Sequence, residues 1–217
     1  MKLAYLASCF FDSTDKIWML RDSAKRFGID LNLYGLGEPH RGFIDCKVTR
    51  LLPELGKLAE CGYTHVLYTD GPDTFFVAGP EEIWDEYASL GYPAWLVSAE
   101  SNCYPHTDLA LKIPESQRYP CTGQYMGEIE AILSGWRAMR AFYGPEDNEQ
   151  GWMLHAIEDG AGIRIDQGRK IFRAEADNWN PGDPGCVLHF NGGYHDPVTG
   201  REARMRPVWD KVYGGTA

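Results

Sequence analysis

The chain has 217 residues, 44% of them hydrophobic, with 31 acidic against 21 basic side chains and a formal charge of -10. That size suits one domain, residues 1–217, with a substantial core, and the acidic balance argues against a nucleic-acid backbone as partner. No stretch approaches the roughly 20 apolar residues of a membrane span. The six cysteines include no CxxC pair, so the expectation is a soluble, reduced, cytoplasmic protein.

The opening MKLAYLASCFF runs directly into Asp12 and Asp15 without a cleavage site, and reads as a first buried strand, Leu3 to Ala7. Ser13 to Phe27 follows as an amphipathic helix with Asp12, Ser13 or Thr14 as cap and Gly28 as stop. Leu31 to Tyr34 reads as a strand, Val48 to Cys61 as a helix and His65 to Tyr68 as a strand, an alternation that implies a parallel sheet. Pro80 to Ser89 is a helix opened by its proline, and Ala94 to Val97 a strand. Ser101 to Gln124, broken by Pro105, Pro114 and Pro120, reads as loops over a site. Glu128 to Tyr143 resumes a helix, and short strands are expected at Ile163 to Ile165, Lys170 to Phe172 and Val187 to Phe190. The tail from Arg201 to Ala217 reads as exposed and receives no role.

Two strand ends carry the chemistry. In HVLYTDGPDTFF an apolar strand stops at Thr69, and Asp70 and Asp73 flank a Gly-Pro turn that can aim both carboxylates at one point. Short acidic side chains suit a hard divalent cation, although an ordinary surface turn has the same composition. In VLHFNGG a second apolar strand ends in His189, ahead of Asn191 and Gly192. An imidazole joining two carboxylates suits Mn²⁺, whereas a lone histidine at a strand end more often bonds backbone. Between the second strand and second helix, GLGEPHRGFIDCK lies where open α/β sheets bind ligands. An anionic ligand on so acidic a chain needs a cation or a cluster of donors to offset its phosphates.

GLGEPHRG at 35–42, Lys47, YTDGPD at 68–73, AGPEE at 78–82, SAESNCYP at 98–105, EDNEQ at 146–150 and HFNGG at 189–193 stand in one order along most of the chain. In that order they resemble the glycosyltransferase domain of the collagen lysyl hydroxylases. The resemblance implies a GT-A (Rossmann-like) α/β fold with a central, mostly parallel sheet flanked by helices. It implies a UDP-sugar donor, transfer of glucose or galactose with retention, and Mn²⁺, with Mg²⁺ as alternative, on Asp70, Asp73 and His189. Gly35, Gly37, Glu38, Arg41 and Lys47 match its nucleotide-contacting stretch, and Thr69, Thr122, Gly123, Asn191 and Gly192 are assigned to the donor with them. Glu100 matches a functional glutamate, and Tyr104 stands where an aromatic residue, typically tryptophan, faces the sugar.

Two departures accompany the resemblance. An aspartate-rich run is represented by Glu146, Asp147, Asn148 and Glu149, so Glu100, Asp147 and Glu149 share the catalytic assignment; the same run also reads as a helix start capped by Asp147. An Asn-Ser-Gly-Gly segment is replaced by Cys121, Thr122, Gly123 and Gln124, which points to a different donor preference. The family's domain normally sits in a longer secreted chain, so the acceptor here need not be collagen and is left unassigned. The alternatives are a non-catalytic nucleotide-sugar-binding module and a UDP-sugar hydrolase.

Overall fold

The computed structural model describes residues 1–111, 118–144, 148–192 and 199–214. In the first half the alternation of apolar runs and amphipathic stretches produces the expected order: β1 (Leu3–Ser8), α1 (Trp18–Arg26), β2 (Leu31–Tyr34), α2 (Leu51–Glu60) and β3 (His65–Thr69). A short strand β4 (Thr74–Phe76), α3 (Pro80–Ser89) and β5 (Trp95–Glu100) come next. Then follow β6 (Tyr119–Glu128), α4 (Ile129–Phe142), α5 (Glu149–Glu158), β7 (Ile163–Ile165), β8 (Phe172–Ala174), β9 (Val187–His189) and α6 (Thr199–Tyr213).

The main sheet has six strands in the order β2-β1-β3-β6-β5-β7. All run parallel except β6, which is antiparallel to both β3 and β5. Successive residues of each strand feed opposite faces. Ala4, Leu6, Val66, Tyr68, Trp95 and Val97 meet α2, α4 and α5, while Tyr5, Ala7, Leu67 and Leu96 meet α1 and α3. A second sheet, β4-β9-β8, packs its Phe75 and Leu188 against Met205, Val208 and Trp209 of α6.

Three expectations need correction. The segment 119–124, read as the end of a loop region broken by Pro105, Pro114 and Pro120, is the first part of a central strand. There Pro120 pairs with Ala99 of β5, near the strand's start and beyond the reach of β3, whose pairing ends at Gln124. The tail from Arg201 is helical to Tyr213 and covers the second sheet, with the Tyr213 hydroxyl donating to the Phe76 carbonyl. Helix α1 begins only at Trp18, after a separate 3-10 turn at Thr14–Ile17 that Ser13 caps through the Asp15 N–H. Its stop is Gly28, whose φ of +66° gives the left-handed turn that ends the helix.

Candidate functional site

The Asp70 to Asp73 turn is built into the fold. Asp70 N–H donates to the Gly123 carbonyl at 2.7 Å, Phe190 N–H donates to the Asp73 carbonyl at 2.9 Å, and the Thr74 hydroxyl closes onto the Asp70 carbonyl. A Cβ on Gly71 would strike the Ser8 carbonyl and the Ile17 side chain, so glycine lets the turn sit on the end of β1. Thr74 pairs with His189 in the β4-β9 ladder, and Ala174 pairs with the same histidine from β8. The small sheet thereby carries His189 to the end of β3.

There, His189 Nε2 lies 3.5 Å from Asp73 Oδ1 and 3.9 Å from Asp70 Oδ2. One ligand atom from each of Asp70, Asp73 and His189 lies within 4.8 Å of the others. That spacing would let the three side chains hold a single divalent cation. The fourth wall is Gly123 on β6, where any Cβ would collide with the His189 ring and come within 2.9 Å of Asp70 Oδ2. Two carboxylates, an imidazole and a side-chain-free wall fit a hard or borderline divalent ion.

This cluster opens into a cleft of about 500 Å³ that is also lined by Phe43, Lys47, Glu100, Tyr104, Thr122, Glu149, Gln150, Glu175, Asn191 and Gly192. Lys47 bonds Asp70 at 2.7 Å and stands 3.6 Å from Glu149. Burial alone would lower its pKa, but those two carboxylates hold it well above the ordinary lysine range. Asp73 is likewise buried, a raising effect overcome by His189, and its pKa falls to about 2. For His189, burial is outweighed by Asp73 and Cys121, so its pKa is raised.

Glu100 is fixed by two amides. Gln150 Nε2 donates to its Oε1 and Asn191 Nδ2 to its Oε2. Each amide is anchored at its other end, Gln150 Oε1 accepting from Thr122 N–H at 3.3 Å and Asn191 Oδ1 from Glu175 N–H at 2.8 Å. Burial nevertheless dominates and pushes the Glu100 carboxyl up to about 7. Glu149 accepts from the Thr122 hydroxyl at 2.9 Å, and its Oε2 is a buried oxygen with no hydrogen-bond partner among the described residues.

Of the residues singled out in the sequence, Asp70, Asp73, His189, Lys47, Glu100, Glu149, Tyr104, Thr122, Gly123, Asn191 and Gly192 meet in the cleft. Asp147 lies outside the described residues, and the cap of α5 is Asn148, whose side chain accepts from Gly151 N–H at 2.8 Å. Gly35, Gly37, Glu38 and Arg41 are not among the lining residues. Glu38 pairs with Arg50, Gly37 N–H bonds the Phe11 carbonyl, and Gly35 lies against the Phe10 ring where a side chain would not fit. Thr69 is fully buried beneath the cleft, accepting from Gln124 Nε2 at 3.4 Å. Sequence reasoning missed Gln150, Cys121 and Glu175. Gln150 closes the EDNEQ segment, and its place beside Glu149 was the available signal.

A sequence model of the PLOD GT domain matches residues 6–150 of this chain. The chain belongs to the PLOD GT domain family. Among curated relatives, the human and Pongo abelii multifunctional procollagen lysine hydroxylase and glycosyltransferase LH3 are each 26% identical over 187 residues. The match covers 78% of this chain and 24% of each relative, so this PLOD GT domain spans about a quarter of their length. The crystal structure of a glycosyltransferase involved in glycosylation of the major capsid of PBCV-1 superposes with a TM-score of 0.63 at 12% identity, covering 96% of this chain and 100% of that one. At that identity the likeness is one of fold, and the fold is GT-A.

Proposed function

We propose that this chain is a Mn²⁺-dependent glycosyltransferase, with Mg²⁺ as the alternative cation, that moves glucose or galactose from a UDP-sugar to an acceptor hydroxyl with retention of configuration. The observation that carries the reading is the convergence of Asp70, Asp73 and His189, on two strand ends more than a hundred residues apart in sequence, at a cleft of a PLOD GT family member. In this reading those three side chains hold the cation. A bound divalent cation supplies positive charge opposite the departing diphosphate.

Lys47, partly buried and charged, adds a second fixed positive group there. Phe43 and the exposed Tyr104 offer faces for the nucleoside and sugar. The loop bearing Gly35, Gly37, Glu38 and Arg41 needs to close on the nucleotide to take the part assigned to it. Glu100 and Glu149, with Asp147, are the carboxylates assigned to the oxocarbenium-like carbon and the acceptor proton. A Glu100 carboxyl near 7 exchanges protons at neutral pH.

The test is UDP release from UDP-glucose and UDP-galactose with Mn²⁺ or chelator, over a panel of hydroxyl acceptors, with D73N as control. Acceptor-accelerated, Mn²⁺-dependent release lost in D73N supports the reading. Release indifferent to every acceptor makes the chain a UDP-sugar hydrolase, and binding without release makes it a nucleotide-sugar-binding module.

A further inference from the structure

The imidazole of His189 has two nitrogens, and they face different chemistry. Nε2 faces Asp73 and Asp70. Nδ1 lies 3.6 Å from Cys121 Sγ, within hydrogen-bonding reach of sulfur. Cys121 and Gly123 are two apart on β6, where its register against β5 shifts. Both meet the His189 ring: Gly123 leaves no space for a Cβ beside Cε1 and Nδ1, and Cys121 presents its sulfur to Nδ1. Both cysteine and histidine are buried, at 3% and 2% exposure, so water is not available to take the place of the sulfur. A histidine ligates a metal through one nitrogen only when the other carries its proton and has somewhere to put it.

We propose that Cys121 is a positioning residue for the metal centre: its sulfur accepts the Nδ1 proton of His189 and fixes the imidazole in the tautomer and orientation that leave Nε2 facing Asp70 and Asp73. The inference rests on the metal-centre reading of the site given above. On this account Cys121 is not itself a ligand, since its sulfur lies on the Nδ1 side of the ring. Of the other free cysteines, Cys46 packs as a small apolar group within the core, and the Cys103 and Cys186 thiols donate to the His106 and Lys170 backbone carbonyls.

The experiment is a Mn²⁺ titration of metal-free protein followed by electron paramagnetic resonance, on the unmodified chain, C121A and C121S, with circular dichroism to establish that each is folded. C121A is expected to bind Mn²⁺ 10- to 100-fold more weakly, and C121S, which keeps an acceptor, to recover most of that loss. Heteronuclear NMR of the Mg²⁺-loaded unmodified protein is expected to find His189 protonated at Nδ1. Co²⁺ in the site is expected to give no thiolate-to-cobalt charge-transfer band. C121A affinity within twofold of the unmodified chain, C121S no better than C121A, or a thiolate-to-cobalt band would each overturn the proposal. An unmodified chain that binds no Mn²⁺ removes the metal centre itself, and the proposal with it.

Discussion

Glu100 is the side chain whose environment has the plainest thermodynamic consequence. Its carboxyl rises from the usual 4.5 to about 7 on folding, mainly through burial. The folded state therefore holds a proton that the unfolded chain releases, so the associated stability is fully present below pH 4.5 and is lost as pH rises through about 7. At about 1.4 kcal/mol per pKa unit the swing is on the order of 3 kcal/mol. E100Q cannot ionise, so urea unfolding at pH 4.5 and pH 8 should show the variant gaining on the unmodified chain by up to that amount across the interval. Parallel pH profiles would contradict the burial argument. Asp70, Asp73 and His189 were legible because apolar strands run into them, whereas Glu100 and Glu149 were read from the family resemblance alone. Cys121 carried no such signal, because a cysteine after a proline points to nothing until β6 brings it to His189, and Gln150 had only its place beside Glu149 until α5 brought it to Glu100.

At the scale of elements, the sequence announced helices that bury one regular stripe and concealed those that do not. Pro80 at the first turn made α3 readable to the residue, and the helix buries Ile83 and Tyr87. Helix α6 has Pro207 in its interior and apolar residues too sparse for a continuous stripe, yet it is held by aromatic packing. Trp209 meets Phe75 and Trp18 edge-on and lies 4.4 Å from Tyr213 between ring centroids. W209A should therefore cost about 3–5 kcal/mol, the range for emptying a large buried aromatic site, measured by denaturant unfolding. A loss under 1 kcal/mol would mean that α6 is an appendage. Strand β6 was hidden by the opposite cause: Pro120, Gly123 and Gly127 look like breakers, but Gly127 lies where a Cβ would strike the Ala94 carbonyl, and Gly123 forms a wall of the site. Close approach, not a turn, accounts for both glycines.

Across the whole molecule, the parallel half of the sheet could be read from local alternation, whereas the second sheet could not. Its three-residue strands bring Thr74–Phe76 and Val187–His189 together across more than a hundred residues, and local pattern is blind to such pairing. That long-range pairing is what sets His189 against Asp70 and Asp73. The retention of GT-A architecture at 12% identity agrees with a scaffold specified by burial pattern. A chain carrying a formal charge of -10 holds an anionic donor only if the cleft supplies local positive charge, from Lys47 and from a cation.

That requirement makes calorimetric titration of UDP into metal-free protein, with and without Mn²⁺, the most direct test, repeated for D73A and H189A. The account predicts binding that needs Mn²⁺ and disappears in both variants while they remain folded. Folded protein that ignores UDP with or without Mn²⁺, or that binds UDP equally well without the metal, would contradict it.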